Sequence, residues 1–288
     1  MKLEIENNYN EGIRKDDTGH YVFDYETDLT TDLISLTNDQ TGVKTVGDLT
    51  YYFGFRFNDG IPGPEKTEFR KAIKHGMENG RLFYNEAVFD FVEDALIRLN
   101  QLKCLNDFSM VFSTSKTYRE KSLVGTMCRL LWEYVEPNVG TYDKFHLELF
   151  KKHCRDVTFD EKRADEALAK TNKYSDAKKR AEAIEHLKDI FKDAIADDIR
   201  ANDDTKGLFT MKMYMPVVGR AGFIDFLKFR NEEDQKLYEE LRGSDEVLIC
   251  DDFLTTGSTI NEMKRLLKSI NPDVKISVYV LVDQQMNL

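Results

Sequence analysis

The sequence predicts an α/β fold: a parallel β-sheet with an α+β region before it and a helical insertion within it. Near the C-terminus, an apolar run at 247–250, a helical pattern at about 260–270 and another apolar run at 275–282 follow one another. A strand, helix and strand in this order form a βαβ unit, whose right-handed crossover makes the two strands parallel. The run "FSMVFST" (108–114) adds a buried strand that ends in small polar residues. In such sheets ligands bind at the carboxyl ends of the strands.

Residues 1–104 are expected to form an accessory α+β region. They contain the aromatic stretch "LTYYFGFRF" (49–57), the turn cluster "NDGIPGP" and helical patterns near 65–77 and 85–103. The second helical pattern has apolar residues at helical spacing, which indicates a helix packed on a core. The main domain is then expected at 105–288.

A helical insertion is predicted at about 158–202. This stretch is rich in charged residues and alanine, has apolar residues at helical spacing, and is interrupted near "KTNKYSD" (170–176). Its charges indicate either a solvated face or a docking surface. Contact of nucleic acid with Lys178, Lys179 and Arg180 is a further alternative, which the interleaved acids disfavour. After the insertion, strands are predicted near 208–216 and 223–229.

Composition narrows the class of protein. Of 288 residues, 41% are hydrophobic and 32% are charged, a balance that supports a folded core. The net charge of -11 disfavours nucleic acid as a partner. The four cysteines form no C-x-x-C pair, and no stretch approaches the roughly 20 apolar residues of a membrane helix. We therefore expect a cytoplasmic protein without a membrane span.

The segment "VLICDDFLTTGST" (247–259) carries the clearest chemical signal. A glycine among hydroxyl residues at the start of a helix forms a cradle for a phosphate, because backbone N–H groups can approach closely. The adjacent Asp251 and Asp252 repel a phosphate, so they require hydroxyls or a cation. A sugar phosphate meets both requirements. Thr259 is the expected N-cap of the helix, with Glu262 completing a capping box.

Two other loop types do not fit this spacing. A Walker A loop requires a lysine before its final Ser or Thr, and "TTGST" has none. The nucleophile elbow of α/β-hydrolases requires G-x-S-x-G, and this stretch has a single glycine.

The whole segment resembles the 5-phosphoribosyl-1-diphosphate (PRPP) loop of the type I phosphoribosyltransferases. Four apolar residues, two acids, two apolar residues and a Thr/Ser-rich loop with one glycine follow in the family's order. The resemblance implies a type I phosphoribosyltransferase-like, Rossmann-type sheet. Its expected strands lie near 108–113, 208–216, 223–229, 247–250 and 275–282.

The resemblance also implies roles for individual residues. Asp251 and Asp252 would hold the ribose 2- and 3-hydroxyls and are the expected catalytic residues. The 5-phosphate would be held by Thr255, Thr256, Gly257, Ser258 and Thr259. The diphosphate would be held by Ser115 and Lys116 in the loop after the first strand, and by Arg220 in a mobile loop. Mg²⁺ is the expected cofactor, without a dedicated protein ligand.

The activity implied is transfer of ribose 5-phosphate from PRPP to a nitrogen of a base or amine, with release of pyrophosphate. Members that act on 6-oxopurines have an aspartate where this chain has Thr255, so a purine acceptor of that kind is disfavoured. The alternative is a catalytically silent module that senses PRPP or a nucleotide and acts through a partner, for example an effector in an anti-phage system. We also expect a homodimer or a larger assembly.

Overall fold

The computed structural model describes most of the predicted elements. The described residues are 13–15, 21–23, 34–36, 42–57, 61–78, 86–114, 123–131, 145–146, 150–152, 157–170, 174–200, 221–229, 235–254 and 257–283. The strand predicted near 208–216 lies outside them.

The elements follow the sequence patterns closely. The strands are β1 (Ile13–Lys15), β2 (Tyr21–Phe23), β3 (Ile34–Leu36), β4 (Val43–Val46), β5 (Leu49–Phe57), β6 (Met110–Ser113), β7 (Phe145–His146), β8 (Phe150–Lys152), β9 (Thr158–Phe159), β10 (Phe223–Ile224), β11 (Leu227–Phe229), β12 (Glu246–Phe253) and β13 (Lys275–Asp283). The helices are α1 (Gly63–Glu78), α2 (Glu86–Leu102), α3 (Leu123–Leu130), α4 (Glu161–Ala169), α5 (Ala177–Arg200), α6 (Gln235–Arg242) and α7 (Ser258–Ile270). The predicted C-terminal strand, helix and strand are thus confirmed as β12, α7 and β13.

The chain divides into two compact units. The first comprises Met1–Glu148, Glu239–Leu254 and Asp273–Gln285. The second comprises Leu149–Tyr238, Thr255–Pro272 and Met286–Leu288. The predicted division into an accessory region 1–104 and a main domain 105–288 stays a prediction.

The first unit is built on a mostly parallel sheet. Its strand order is β3-β5-β13-β12-β6-β7, and β4 also pairs with β5. All neighbours from β5 to β7 are parallel, whereas β3 and β4 are antiparallel to β5. This topology confirms the predicted α/β class.

Strand β5 belongs to this sheet, although the strands predicted for the sheet did not include it. It pairs in parallel with β13, from Leu49 beside Ile276 to Arg56 beside Asp283. Six of its nine residues are buried and three are half-buried. Near-continuous burial is typical of a parallel strand covered on both faces, which fits the many aromatic side chains of this strand.

The prediction of a sheet strand at 223–229 was wrong. This stretch forms two short strands, β10 and β11, which pair antiparallel with β9 and β8 in the second unit. Asp225 lies between them with φ of 62°, a left-handed conformation that a continuous strand does not allow. The turn at Asp225 therefore ends one strand before the next begins.

The core of the first unit lies between the sheet and helices α1, α2 and α3. Phe91 of α2 stacks on Phe55 at a centroid distance of 4.8 Å. Phe69 of α1 contacts Phe57 at 5.3 Å and Phe253 at 6.3 Å, at the ends of β5 and β12. Helix α1 therefore packs where these two strands end.

Helix α2 approaches β5 closely at Gly54. A Cβ atom on Gly54 would lie 2.7 Å from the Cβ of Ala95 and 2.9 Å from its Cα. Real side chains do not tolerate such contacts, so the approach depends on the absence of a side chain on Gly54.

The second unit contains the predicted helical insertion, whose two helices, α4 and α5, form a hairpin. Ala164, Leu168 and Ile184 form its small core. Arg180 donates to Asp165 at 2.7 Å, and Lys188 bridges Glu161 and Glu185. Arg180 thus has a structural role, which leaves the exposed Lys178 and Lys179 as the remaining basic residues of the nucleic-acid alternative.

Among the helices of the described ranges, none has both the length and the apolarity that a membrane span requires.

Candidate functional site

The sheet has a topological switch point between β6 and β12. These strands are parallel neighbours. The chain that leaves β6 continues through α3 to β7 on one side, whereas the chain that leaves β12 continues through α7 to β13 on the other. From this point the chain continues in opposite directions along the sheet, and in open α/β sheets ligands usually bind at the carboxyl ends of the strands at such a point.

Asp251 and Asp252 lie at the carboxyl end of β12, beside this switch point. Asp252 is 9% exposed, and Asp251 is half-buried. Each carboxylate accepts a hydrogen bond from the next backbone N–H: Asp252 N to Asp251 Oδ1 is 3.0 Å, and Phe253 N to Asp252 Oδ1 is 2.7 Å. These bonds fix the orientation of both side chains.

Thr114 joins the two strands of the switch point. It directly follows β6, and its N–H donates to the carbonyl of Cys250 on β12 at 3.1 Å. Its Oγ1 donates to Asp251 Oδ1 at 2.7 Å. A hydroxyl from one strand thereby orients a carboxylate of the other.

The loop after the aspartates leads into α7 in the second unit. Gly257 is the N-cap, with φ of 65° and ψ of 8°, so the glycine is required by its left-handed backbone. Ser258 and Thr259 form the first turn of a 13-residue helix. The positive end of the helix dipole lies at this turn, which suits an anion.

The predicted capping box at this turn was wrong. The helix begins at Ser258 and not after Thr259. Glu262 is buried and accepts from Arg265 at 3.1 Å, so its carboxylate serves another contact. Arg265 also pairs with Asp225 at 3.3 Å. The sequence pattern predicted that Glu262 would cap the start of the helix. Instead, Glu262 accepts a hydrogen bond from Arg265, which lies one turn later.

Several predicted site residues lie outside the described residues. They are Thr255 and Thr256 of the phosphate loop, and Ser115, Lys116 and Arg220 of the expected diphosphate loops. Their roles stay predictions.

Arg70 is a residue at the site that sequence reasoning missed. It lies on α1, and its guanidinium carbon is 5.5 Å from the ring centroid of Phe253, the residue after Asp252. Burial lowers the pKa of Arg70, whereas the charges of Asp252 and then Asp251 raise it. No local motif distinguishes this arginine from the other charged residues of α1. Its position near the aspartates follows from the pairing of β5 with β13, which the sequence does not reveal.

Cys250 precedes the aspartates but has a structural role. Burial raises the pKa of the Cys250 thiol well above its ordinary value, and the neighbouring Cys128 raises it further. The thiol therefore stays protonated at neutral pH and packs in the core.

Another carboxylate at this edge of the sheet is also structural. Asp283 ends β13 and is 5% exposed. Arg56 of β5 lies beside it, with Nε 3.4 Å from Asp283 Oδ2. Within the described part of the chain, no three or more His, Cys, Asp or Glu side chains are grouped so that they could hold a metal ion.

Comparison with known proteins gives a match to part of the chain. Residues 226–287 match the family model described as phosphoribosyl transferase domain. Searches of the curated proteins and of the solved structures found no significant match. The matched segment includes β12, the two aspartates, α7 and β13. This part of the chain is therefore similar to the phosphoribosyl transferase domain family, and the mostly parallel sheet is consistent with the α/β fold class that the resemblance implies.

Proposed function

We propose that this chain is a Mg²⁺-dependent phosphoribosyltransferase that transfers ribose 5-phosphate from PRPP to a nitrogen acceptor. The observation that carries the proposal is the position of Asp251 and Asp252 at the carboxyl end of β12, beside the switch point. The match of residues 226–287 supports phosphoribosyl transfer in general and PRPP as the donor.

In this proposal two sets of residues bind two different parts of PRPP, the ribose and the 5-phosphate. The carboxylates of Asp251 and Asp252 accept hydrogen bonds from the ribose 2- and 3-hydroxyls, since ionised carboxylates only accept. The 5-phosphate is bound by residues 255–259. Gly257 allows the backbone to approach the phosphate, and the first turn of α7 supplies N–H donors.

The reaction is a substitution at C1 of the ribose. The acceptor nitrogen forms a bond to C1 while the bond between C1 and the diphosphate oxygen breaks. The electron pair of that bond leaves with the diphosphate, and any surplus proton on the nitrogen passes to water. The carboxylates hold the ribose and favour the positive charge that develops on it in the transition state.

Mg²⁺ fits the donors of this site. Proteins often bind it through one or two carboxylates together with substrate phosphates and water. Asp251 and Asp252 supply such carboxylates at the end of β12. When bound, the ion would neutralise charge on the diphosphate and favour its departure.

The test is pyrophosphate release from PRPP and Mg²⁺ over a panel of purines, pyrimidines and amines. We expect release with at least one acceptor, little release with 6-oxopurines because of Thr255, and none without an acceptor. Binding of PRPP without release for any acceptor would contradict the enzyme proposal and identify a PRPP-sensing module instead.

Thr114→Val should weaken PRPP binding. The substitution preserves size but removes the hydroxyl that donates to Asp251. A hydrogen bond to a charged group contributes about 1.5–3 kcal/mol to the folded state, and because only part of that loss acts on binding, through the orientation of Asp251, we expect the Kd to rise roughly three- to tenfold. Titration calorimetry measures this change. Thr114→Ser keeps the donor and should bind like the unaltered protein; equal losses in both variants would show that the hydroxyl is not responsible.

A further inference from the structure

Arg70 lies at the edge of the sheet where the two aspartates are presented. Helix α1 places two cations over aromatic rings at strand ends, all within the first unit. Lys66 Nζ is 5.4 Å from the ring centroid of Phe57, the last residue of β5. Arg70, one turn later, lies over Phe253, the last residue of β12. Residues four apart share one face of a helix, so this face of α1 follows the carboxyl edge.

The guanidinium of Arg70 is incompletely used by the protein. Its Nε is buried, and no acceptor in the described ranges is within hydrogen-bond reach of that atom. A buried donor without a partner destabilises the folded state. The packing on Phe253 offsets part of this cost but provides no acceptor. The buried Nε is out of reach of a ligand, but Arg70 as a whole is only half-buried, so a ligand would meet the terminal nitrogens of its guanidinium.

The charge at Arg70 complements the acid pair. Asp252 and Asp251 both act on the Arg70 guanidinium electrostatically, and Asp252 acts more strongly. Arginine retains its charge in proteins. Two adjacent carboxylates would by themselves repel a diphosphate, and a neighbouring cation lowers that repulsion.

We propose that Arg70 binds the diphosphate group of PRPP. This inference rests on the proposed function. In PRPP the carbon that carries the diphosphate is adjacent to the carbon that carries the 2-hydroxyl. A ligand whose hydroxyls contact Asp251 and Asp252 therefore brings its diphosphate close to this pair. The planar guanidinium offers parallel donors that match phosphoryl oxygens.

Three probes separate this role from simple positioning of Asp252: PRPP, inorganic pyrophosphate and ribose 5-phosphate. In titration calorimetry with Mg²⁺, Arg70→Gln should weaken PRPP and pyrophosphate binding about tenfold or more. Ribose 5-phosphate lacks the diphosphate, and its affinity should stay within about twofold. Equal losses for PRPP and ribose 5-phosphate would show that Arg70 acts through Asp252 and would overturn the proposal.

Arg98 provides the matched control. It lies on α2 with its guanidinium carbon 5.7 Å from the ring centroid of Phe55, and its Nε is likewise buried without an acceptor in the described ranges. Arg98→Gln loses the same kind of packing and should leave binding of all three probes unchanged. The same selective loss in both variants would overturn the assignment to Arg70.

Arg70→Lys keeps the test decisive if Arg70→Gln does not fold. Lysine retains the charge without the parallel donors, so we expect a smaller but selective loss for pyrophosphate. Loss of ribose 5-phosphate binding to the same extent would overturn the proposal, as would an unaltered protein that binds neither PRPP nor pyrophosphate. Binding of both without pyrophosphate release would contradict the proposed reaction alone and leave the Arg70 assignment standing.

Discussion

Replacing Asp251 and Asp252 together by asparagine is expected to abolish stabilisation of the protein by PRPP and Mg²⁺. A ligand that binds only the folded state stabilises it by about 2.7 kcal/mol at a hundred times its Kd. For a chain of this size, where 1 kcal/mol shifts Tm by about 2–4 °C, that corresponds to a rise in Tm of roughly 5–10 °C. The amides preserve size but remove the charge, and each charge-assisted hydrogen bond to a hydroxyl contributes about 1.5–3 kcal/mol. The double variant should therefore show no rise.

Thermal unfolding with and without ligand measures this effect. Asp245→Asn is the matched control, because this exposed residue adjoins the opposite end of β12 and carries the same charge. It should retain the full rise in Tm. Asparagine can still accept from the N–H of Phe253, so circular dichroism of the double variant should match that of the unaltered protein. A rise in Tm that survives the double substitution would refute the site.

Gly54→Val should produce the largest loss of stability among the single substitutions considered. Even the first carbon of a side chain would lie 2.9 Å from the backbone Cα of Ala95 and 3.0 Å from its carbonyl oxygen. Backbone atoms within a helix cannot yield locally, so α2 must shift away from β5. Overpacking of a core costs about 1–3 kcal/mol, and we expect Gly54→Ala within this range and Gly54→Val at or above its upper end.

Urea unfolding of each variant measures the loss. Gly63→Ala is the control, since a Cβ on Gly63 contacts nothing within 4 Å, and its free energy of unfolding should change little. Ala95→Gly combined with Gly54→Ala should recover only part of the loss, because two of the close contacts are to the backbone of Ala95. Unfolding of Gly54→Ala at the urea concentration of the unaltered protein would refute the account of this packing.

Local patterns predicted the C-terminal part of the fold and its acids. The strand β12, the helix α7 and the strand β13 each carry their own apolar period, and the acids are adjacent in the sequence. The hairpin of α4 and α5 was predictable for the same reason. Each of these features depends on residues that are close in the chain.

Features that depend on distant pairing were not predictable. The run 49–57 indicates a buried strand, but nothing within it specifies β13 as its neighbour. Arg70 lies over Phe253, next to the acid pair in the chain, because that pairing places α1 at the same edge. The segment 223–229 has strand-like composition, but Asp225 and the partners β8 and β9 divide it.

The pairing of β5 with β13 also determines when the sheet can form during synthesis. Leu49 and Ile276 stand far apart in the chain, yet they are partners in the sheet. Contacts of such long sequence separation form slowly, since loop closure must precede them. The aromatic strand β5 leaves the ribosome long before its partner does. Until β13 follows, that strand has an unpaired edge on which aggregation can begin, so we infer a need for protection of the nascent chain.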